Sequence, residues 1–192
     1  MIHEADGVFQ GGGVKGVGLV GALEAFADRD QFPDTYIDTW INLAGTSAGA
    51  IVASYLACGH SVDETVNFVK TTPFASFEDW GPGGEIIGGG LNLLRHGGLC
   101  HAKVFHDWFR QAFNGQTFGQ INAAGRTLKL IATDITRQEM LVLPDSLPNY
   151  QVPGGSAPIA PDSFEVADAV RMSMSIPYFF QPSSPVGSRC FR

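Results

Sequence analysis

The sequence has too few cysteines for a disulfide framework or a zinc site. Its three cysteines, Cys58, Cys100 and Cys190, are odd in number and far apart, and none of them shares a Cys-x-x-Cys spacing. Disulfide scaffolds need several paired cysteines, and structural zinc sites use closely spaced pairs. We therefore predict neither a disulfide framework nor a metal site, and we expect Cys58 to pack as a small apolar side chain.

Basic residues are also scarce. The chain has 12 Lys and Arg against 19 Asp and Glu, which gives a formal net charge of -7, and the basic residues are scattered. Nucleic acid binding needs grouped cations that neutralise phosphates, and an anionic membrane surface attracts the same kind of group. The composition therefore argues against nucleic acid as a partner and against electrostatic attraction to a membrane.

Long apolar runs are absent as well. No stretch approaches the roughly 20 residues that span a bilayer, and the first residues, Met1 to Asp6, lack the basic and apolar regions of a secretory signal. We expect a cytoplasmic protein whose contact with membranes, if its substrate lies there, is transient and peripheral. The sequence leaves the oligomeric state open.

Strand and helix patterns alternate in the first third of the chain. The sequence predicts a strand at 6–10, a helix at 14–29, a strand at 38–45 and a helix at 47–58, an order typical of a parallel sheet. A chain of 192 residues with 44% hydrophobic content can bury one substantial core. We predict a single α/β domain over residues 1–192, a three-layer sandwich with a mostly parallel central sheet.

The patterns after residue 60 are less regular. Helices are predicted at about 62–70, 103–113 and 164–174, and a strand at 127–133 could pair with one at 139–143. Between the last strand and the last helix, Pro144 to Pro161 is interpreted as a long surface loop because it is rich in proline and glycine.

Two apolar segments have competing interpretations. The glycine-rich stretch from Gly81 to Gly98 could form a mobile apolar lip that admits acyl chains, or simply a packed loop. A set of aromatic residues recurs at helical spacing and is interpreted as core packing rather than as a lipid-facing surface; its members are Phe105, Trp108, Phe109 and Phe113.

The first motif with chemical meaning is Gly45-Thr46-Ser47-Ala48-Gly49, which lies between a predicted strand and a predicted helix. A serine at such a sharp turn is a nucleophile elbow, and the flanking glycines allow strained backbone angles and leave room around the serine. The alternative is a small residue in a tight turn, because isolated Gly-x-Ser-x-Gly matches are common. We predict Ser47 as a nucleophile, with Gly45 and Gly49 supporting its turn.

The second motif is the glycine loop Gly11-Gly12-Gly13-Val14-Lys15-Gly16, again between strand and helix. Glycines let backbone N–H groups approach a ligand oxygen, and the following helix adds the positive end of its dipole. A serine nucleophile and a loop of N–H donors together favour acyl transfer to water. We interpret Lys15, in the first helical turn, as solvated with its stem packed.

The glycine loop also fits the Gly-x-Gly-x-x-Gly pattern of dinucleotide-binding folds. Those folds place an acidic residue at the end of the second strand to hold a ribose hydroxyl, whereas this strand ends in Gly45-Thr46-Ser47. A P-loop is not matched either, because Lys15 precedes a glycine instead of following it. We therefore favour an oxyanion-binding role for the loop.

In both motifs, and in their order and spacing, the sequence resembles the patatin-like phospholipases. Two further stretches are similar to that family, Ala132-Thr133-Asp134-Ile135 and Ser173-Met174-Ser175-Ile176-Pro177 with the residues up to Pro182. The resemblance implies a serine lipid acyl hydrolase of the phospholipase A or lysophospholipase type, which needs no metal or cofactor. It implies Ser47 as nucleophile and an oxyanion hole drawn from Gly11, Gly12, Gly13 and Ala48, supported by Lys15, Gly16, Gly45 and Gly49.

The resemblance also implies a Ser-Asp dyad, whose aspartate stands in an Asp-Gly-Gly or Asp-Gly-Ala element. No Asp-Gly pair follows Ser47, and Asp6-Gly7 lies before the glycine loop. We therefore expect the domain to be incomplete at its C-terminus. The remaining aspartates are interpreted as structural or solvated rather than as replacement bases, because a base must lie within hydrogen-bond reach of the serine; they are Asp134, Asp145, Asp162 and Asp168.

Two alternatives stay open. A triad of Ser47, Asp79 and a later histidine would have the α/β-hydrolase order of serine, acid and histidine; the histidines weighed for it are His60, His96, His101 and His106. Alternatively, the chain is a catalytically silent patatin-like fold that binds lipid or a partner protein because it lacks the proton acceptor.

Overall fold

The structure is a computed structural model. It describes residues 4–13, 16–27, 30, 37, 39–73, 98–100, 103–151, 157–180 and 183.

A four-stranded sheet organises the chain. In spatial order, its strands are β1 (Glu4–Phe9), β2 (Thr39–Thr46), β4 (Thr127–Asp134) and β5 (Glu139–Leu143). Strands β1, β2 and β4 run parallel to one another, and β5 pairs antiparallel with β4. The α/β class with a mostly parallel sheet is therefore confirmed, as is the pairing of the two predicted strands after residue 126.

Six α-helices lie in the described part of the chain. Five match the predicted helices to within about two residues at each end where both ends are described. Their bounds are α1 (Gly16–Ala27), α2 (Ala48–Ala57), α3 (Val62–Thr71), α4 (Lys103–Ala112), α5 (Phe118–Ala123) and α6 (Val166–Met174).

Helix α2 lies at the centre of the packing. It contacts β1, β2 and β4 as well as α6, and eight of its ten residues are buried. A helix that is apolar all round must be enclosed by other elements, and the small residues of its sequence AGAIVASYLA allow it to approach the sheet closely. The helix that begins at the predicted nucleophile is thus fixed in the core.

The aromatic side chains of α4 and its C-terminal turn extend this core. Phe105, Phe109 and Phe113 are buried, with at most 2% of each exposed. Trp108 is partly buried and stacks on Phe68, with ring centroids 4.9 Å apart. The interpretation of these residues as core is confirmed.

The described residues of Pro144 to Pro161 lie mostly at the surface, as predicted, but the segment is anchored to the core. A 3-10 helix at Leu147–Asn149 follows β5, and the side chains of Leu147, Tyr150 and Ile159 are buried. The sequence analysis did not predict these three buried side chains, which hold the loop against the core.

Three elements were not predicted. Helix α5 begins at a capping box, in which Thr117 and Gln120 each bond the other's backbone N–H; the spacing Thr-x-x-Gln is visible in the sequence and could have identified it. The short strands β3 (Gly98–Cys100) and β6 (Tyr178–Phe180) form a separate parallel pair. Each has three residues, too few for a period to show.

Candidate active site

The glycine loop and the nucleophile turn follow neighbouring parallel strands. Phe9, the last residue of β1, pairs in register with Gly45, and Thr46 is the last residue of β2. Because parallel strands end at the same edge of a sheet, the chain leaves β1 and β2 at nearly the same point. The sheet therefore brings together the two motifs that the sequence separates by about 30 residues.

Ser47 occupies a single strained position between β2 and α2. Its backbone has φ 52° and ψ -122°, a region that residues with a side chain rarely adopt. The side chain makes no capping hydrogen bond to α2, although serine at this position usually caps a helix. The hydroxyl is thus left out of the local backbone network, as a nucleophile elbow requires.

The glycines on either side of Ser47 are required by close backbone approach. A Cβ atom on Gly45 would lie 2.4 Å from the carbonyl oxygen of Gly49, and one on Gly49 would lie 2.1 Å from that of Phe9. Distances under 3.0 Å are not seen for real Cβ atoms. Gly49 therefore lets the first turn of α2 lie directly against the end of β1.

The glycine loop lies against the same turn. A Cβ on Gly11 would be 3.2 Å from the Cβ of Ser47, and one on Gly16 would be 3.1 Å from the Cβ of Ala48. Gly12 and Gly13 are exposed, and Gly13 has a positive φ of 55°. The structure thus brings Gly11, Gly16, Ser47 and Ala48 together and leaves the two middle glycines facing outward. Lys15 lies outside the described residues.

A serine that the sequence reasoning did not assign holds the elbow. The backbone N–H of Ser47 donates to Oγ of Ser173, 2.9 Å away, and Ser173 Oγ in turn donates to the carbonyl oxygen of Ile131, 2.6 Å away. Ser173 lies in the last turn of α6, within the Ser-Met-Ser-Ile-Pro segment. The sequence alone gives no sign of which serine of this segment faces the elbow.

Two of the candidate aspartates, Asp134 and Asp145, pair with other residues. Asp134 accepts hydrogen bonds from the backbone N–H groups of Thr136 and Arg137 and from the hydroxyl of Tyr150, the last at 2.6 Å. Burial by itself would raise the pKa of Asp134, but these hydrogen bonds together lower it. Asp145 pairs with Lys129. Asp134 and Asp145 are therefore structural in this arrangement.

Asp168 pairs with a histidine rather than with Ser47. Oδ1 of Asp168, on α6, lies 2.9 Å from Nε2 of His106, on α4. This contact joins the two helices. The hydrogen bond to Asp168 raises the pKa of His106, against the lowering effect of burial. His60 stacks on Tyr55 at a centroid distance of 3.8 Å. Neither histidine is bonded to Ser47.

Two further aspartates, Asp162 and Asp6, have surroundings of their own. Asp162 is exposed beside Gly119, and Asp6 accepts two hydrogen bonds from Asn42, which ties β1 to β2. In the described part of the chain no carboxylate or imidazole is hydrogen-bonded to the Ser47 side chain. Asp79, His96 and His101 lie outside the described residues, as do residues 81–97 of the stretch from Gly81 to Gly98 that was interpreted as a lip or a packed loop.

Cys58, just after α2, is half-buried against the core, as predicted. Burial raises the pKa of its thiol to about 12. Within the described ranges no group of three or more His, Cys, Asp or Glu residues could hold a metal ion. The helices described are also all too short or too polar to cross a membrane.

Comparison with known proteins gives one family and several similar folds. The model of the family described as patatin-like phospholipase matches residues 7–190. The uncharacterized protein YqhO of Bacillus subtilis is 33% identical over 92% of this chain, and the chain spans 57% of the length of that relative.

Two solved structures share the fold at low sequence identity. ExoU, in its complex with SpcU from the type III secretion system of Pseudomonas aeruginosa, has a TM-score of 0.53 and 22% identity, over 91% of this chain and 36% of that one. VipD of Legionella pneumophila has a TM-score of 0.53 and 16% identity, over 91% of this chain and 43% of that one.

Proposed function

Because this chain belongs to the family of patatin-like phospholipases, we propose that it is a serine acyl hydrolase that cleaves carboxylic esters of lipids, as a phospholipase A or lysophospholipase does. The observation that carries the proposal is the contact between the glycine loop and the turn at Ser47, where Gly11 approaches the Ser47 Cβ. A nucleophile beside a set of backbone donors is the arrangement that acyl transfer needs.

In the proposed reaction, Ser47 Oγ attacks the ester carbonyl and a carboxylate takes its proton. The tetrahedral intermediate places its negative oxygen toward the N–H groups of Gly12, Gly13 and Ala48. The carboxyl group then gives this proton to the departing alcohol oxygen, and the regenerated carboxylate deprotonates the water that hydrolyses the acyl-serine. One oxyanion donor is worth about 3 to 4 kcal/mol of transition-state stabilisation, so the loop accounts for much of the expected rate. The reaction uses no metal or cofactor.

The substrate is proposed to be a lipid ester because of the family. A lipid substrate implies transient docking at a membrane surface or micelle.

The rival function is a silent fold that binds lipid or a partner protein. It is favoured by one observation: among the described residues, no carboxylate or imidazole is hydrogen-bonded to the Ser47 side chain. A serine without a proton acceptor is a weak nucleophile, even beside an intact oxyanion loop.

Release of fatty acid separates the two functions. The wild-type protein is expected to release fatty acid from micelles of lysophosphatidylcholine or vesicles of phosphatidylcholine, and Ser47→Ala to release none above background. Ser54→Ala is the matched control, because Ser54 lies about two turns further along α2, fully buried and without a hydrogen-bond partner for Oγ among the described residues. Binding to the vesicles without release, by wild type and Ser47→Ala alike, would support the silent fold instead.

A further inference from the structure

We infer that Ser173 is a positioning residue for the nucleophile: its hydroxyl fixes the backbone of Ser47 in the reactive geometry. This role rests on the proposed function of Ser47. It concerns a residue that makes no contact with the reacting atoms and acts only through the turn.

The geometry places one hydroxyl between two backbone groups of different elements. Oγ of Ser173 accepts from the N–H of Ser47 at 2.9 Å and donates to the carbonyl oxygen of Ile131 at 2.6 Å. Ile131 lies on β4 beside Thr46, its partner in register on β2. The Ser173 side chain therefore joins the end of α6 to β4 and to the turn that follows β2.

Only a group that both accepts and donates can make this connection. A carboxylate could accept from the Ser47 N–H but could not donate to the Ile131 carbonyl, and an N–H group could only donate. A hydroxyl does both, because it has one O–H donor and lone pairs that accept. The site is part-buried, so removal of the hydroxyl would leave a backbone donor with reduced access to water as a replacement partner.

The bond has two consequences for catalysis. First, it holds Ser47 at a positive φ of 52°, a conformation that persists only where surrounding contacts enforce it. Second, it occupies the Ser47 N–H, so the oxyanion is left to the amides of the glycine loop and Ala48. A shift of about 1 Å in a reacting group can reduce a rate about 100-fold. Loss of the Ser173 hydroxyl is therefore expected to slow acylation rather than weaken substrate binding.

The chain supplies a close control at Ser175. Its hydroxyl donates to the carbonyl oxygen of Arg171, 2.7 Å away, within its own helical turn. Ser175 has the same side chain and a similar partly buried setting two residues along, but its hydrogen bond does not reach the elbow. A general effect of removing a serine from this segment would appear equally at both positions.

The test measures acylation by an alkyl fluorophosphonate and hydrolysis of a soluble p-nitrophenyl ester in the purified protein. We expect Ser173→Ala to lower the rate of labelling and kcat by about 10- to 100-fold with little change in KM. Ser175→Ala is expected to stay within about twofold of wild type. Unfolding transitions of both variants identify any loss of folded protein.

A second pair of variants keeps the test decisive if Ser173→Ala folds poorly. Threonine and valine have nearly the same shape, but only threonine has a hydroxyl. Ser173→Thr is expected to react at least fivefold faster than Ser173→Val when both are compared as folded protein. Equal rates for this pair, or equal slowing of Ser173→Ala and Ser175→Ala, would overturn the positioning role while leaving the hydrolase proposal intact. Failure of the wild type to react would instead remove the proposed function, and this inference with it.

Discussion

At the scale of single residues, the conformation of Ser47 is stabilised by its neighbours at some cost to the fold. A positive φ costs a residue with a Cβ about 1 to 2 kcal/mol. Three features outweigh this cost: the buried helix that begins at Ala48, the backbone contact allowed by Gly49, and the hydrogen bond to Ser173. Strain retained in this way is typical of a functional position.

The strain gives a prediction about stability. Ser47→Gly removes both the nucleophile and the Cβ, whereas Ser47→Ala removes only the nucleophile. Because glycine adopts a positive φ freely, we expect Ser47→Gly to have a free energy of unfolding about 1 kcal/mol higher than that of Ser47→Ala. Urea unfolding of the two variants measures the difference, and a glycine variant less stable than the alanine variant would show that the turn is unstrained.

The glycines of the elbow should tolerate no side chain. In Gly49→Ala, the new Cβ would meet the Phe9 carbonyl oxygen at 2.1 Å, so β1 or α2 must move. We expect a loss of at least about 3 kcal/mol in the free energy of unfolding. Gly21→Ala in α1 is the control, because a Cβ there meets nothing within 4 Å, and it should be stabilising by about 0.5 to 1 kcal/mol. Similar stabilities for the two variants would contradict the described packing.

At the scale of elements, α4 and α6 are joined by an ion pair that depends on pH. Nε2 of His106 on α4 lies 2.9 Å from Oδ1 of Asp168 on α6. His106 also lies 3.4 Å from Asp107, and the cationic Arg171 opposes its protonation. The pKa of His106 is therefore above the ordinary value of 6.5 for histidine, chiefly because of its hydrogen bond to Asp168.

The raised pKa fixes the direction of a pH effect. A group with a higher pKa in the folded state stabilises the fold fully below its unfolded pKa, and this contribution is lost as pH rises through the folded value. The difference in unfolding free energy between wild type and His106→Gln is therefore expected to shrink by about 0.5 to 1 kcal/mol between about pH 5.5 and pH 8.5, since the pair is partly exposed. A difference that grows with pH would contradict the pairing.

The accuracy of the predicted elements follows from how local their signals are. The sequence predicts α2, β2 and β4 because each contains its own local pattern of apolar residues. The composition of the loop after β5 predicts its exposed residues, whereas the burial of Leu147 and Tyr150 within that loop depends on distant partners. The pairing of β3 with β6 joins residues about 80 positions apart and leaves no mark in either segment.

The residues of the candidate site also differ in how far the sequence identifies them. Gly11, Gly45, Ser47 and Gly49 could be identified from the sequence, because a turn that needs small residues imposes them at fixed spacing. Ser173 could not be singled out in the same way, since its contact with Ser47 spans 126 residues and arises only when α6 packs against β4. A proton acceptor for Ser47 also has to be brought to it by packing between segments that are far apart in the sequence.

At the scale of the whole molecule, the parallel sheet explains why the two motifs lie together. Strands β1 and β2 bring the glycine loop and Ser47 to the same edge, and β4 supplies the carbonyl group to which Ser173 is anchored. This is the edge at which open parallel sheets generally bind their ligands. Membership of the patatin-like phospholipase family agrees with this placement.

The central claim, that Ser47 is an activated nucleophile, is tested most directly by intact-mass measurement before and after exposure to a fluorophosphonate. The account predicts one covalent adduct on the wild-type protein, mapped to the peptide that contains Ser47 and absent from Ser47→Ala. A folded wild-type protein that gains no mass, or that gains an adduct retained in Ser47→Ala, would contradict the claim.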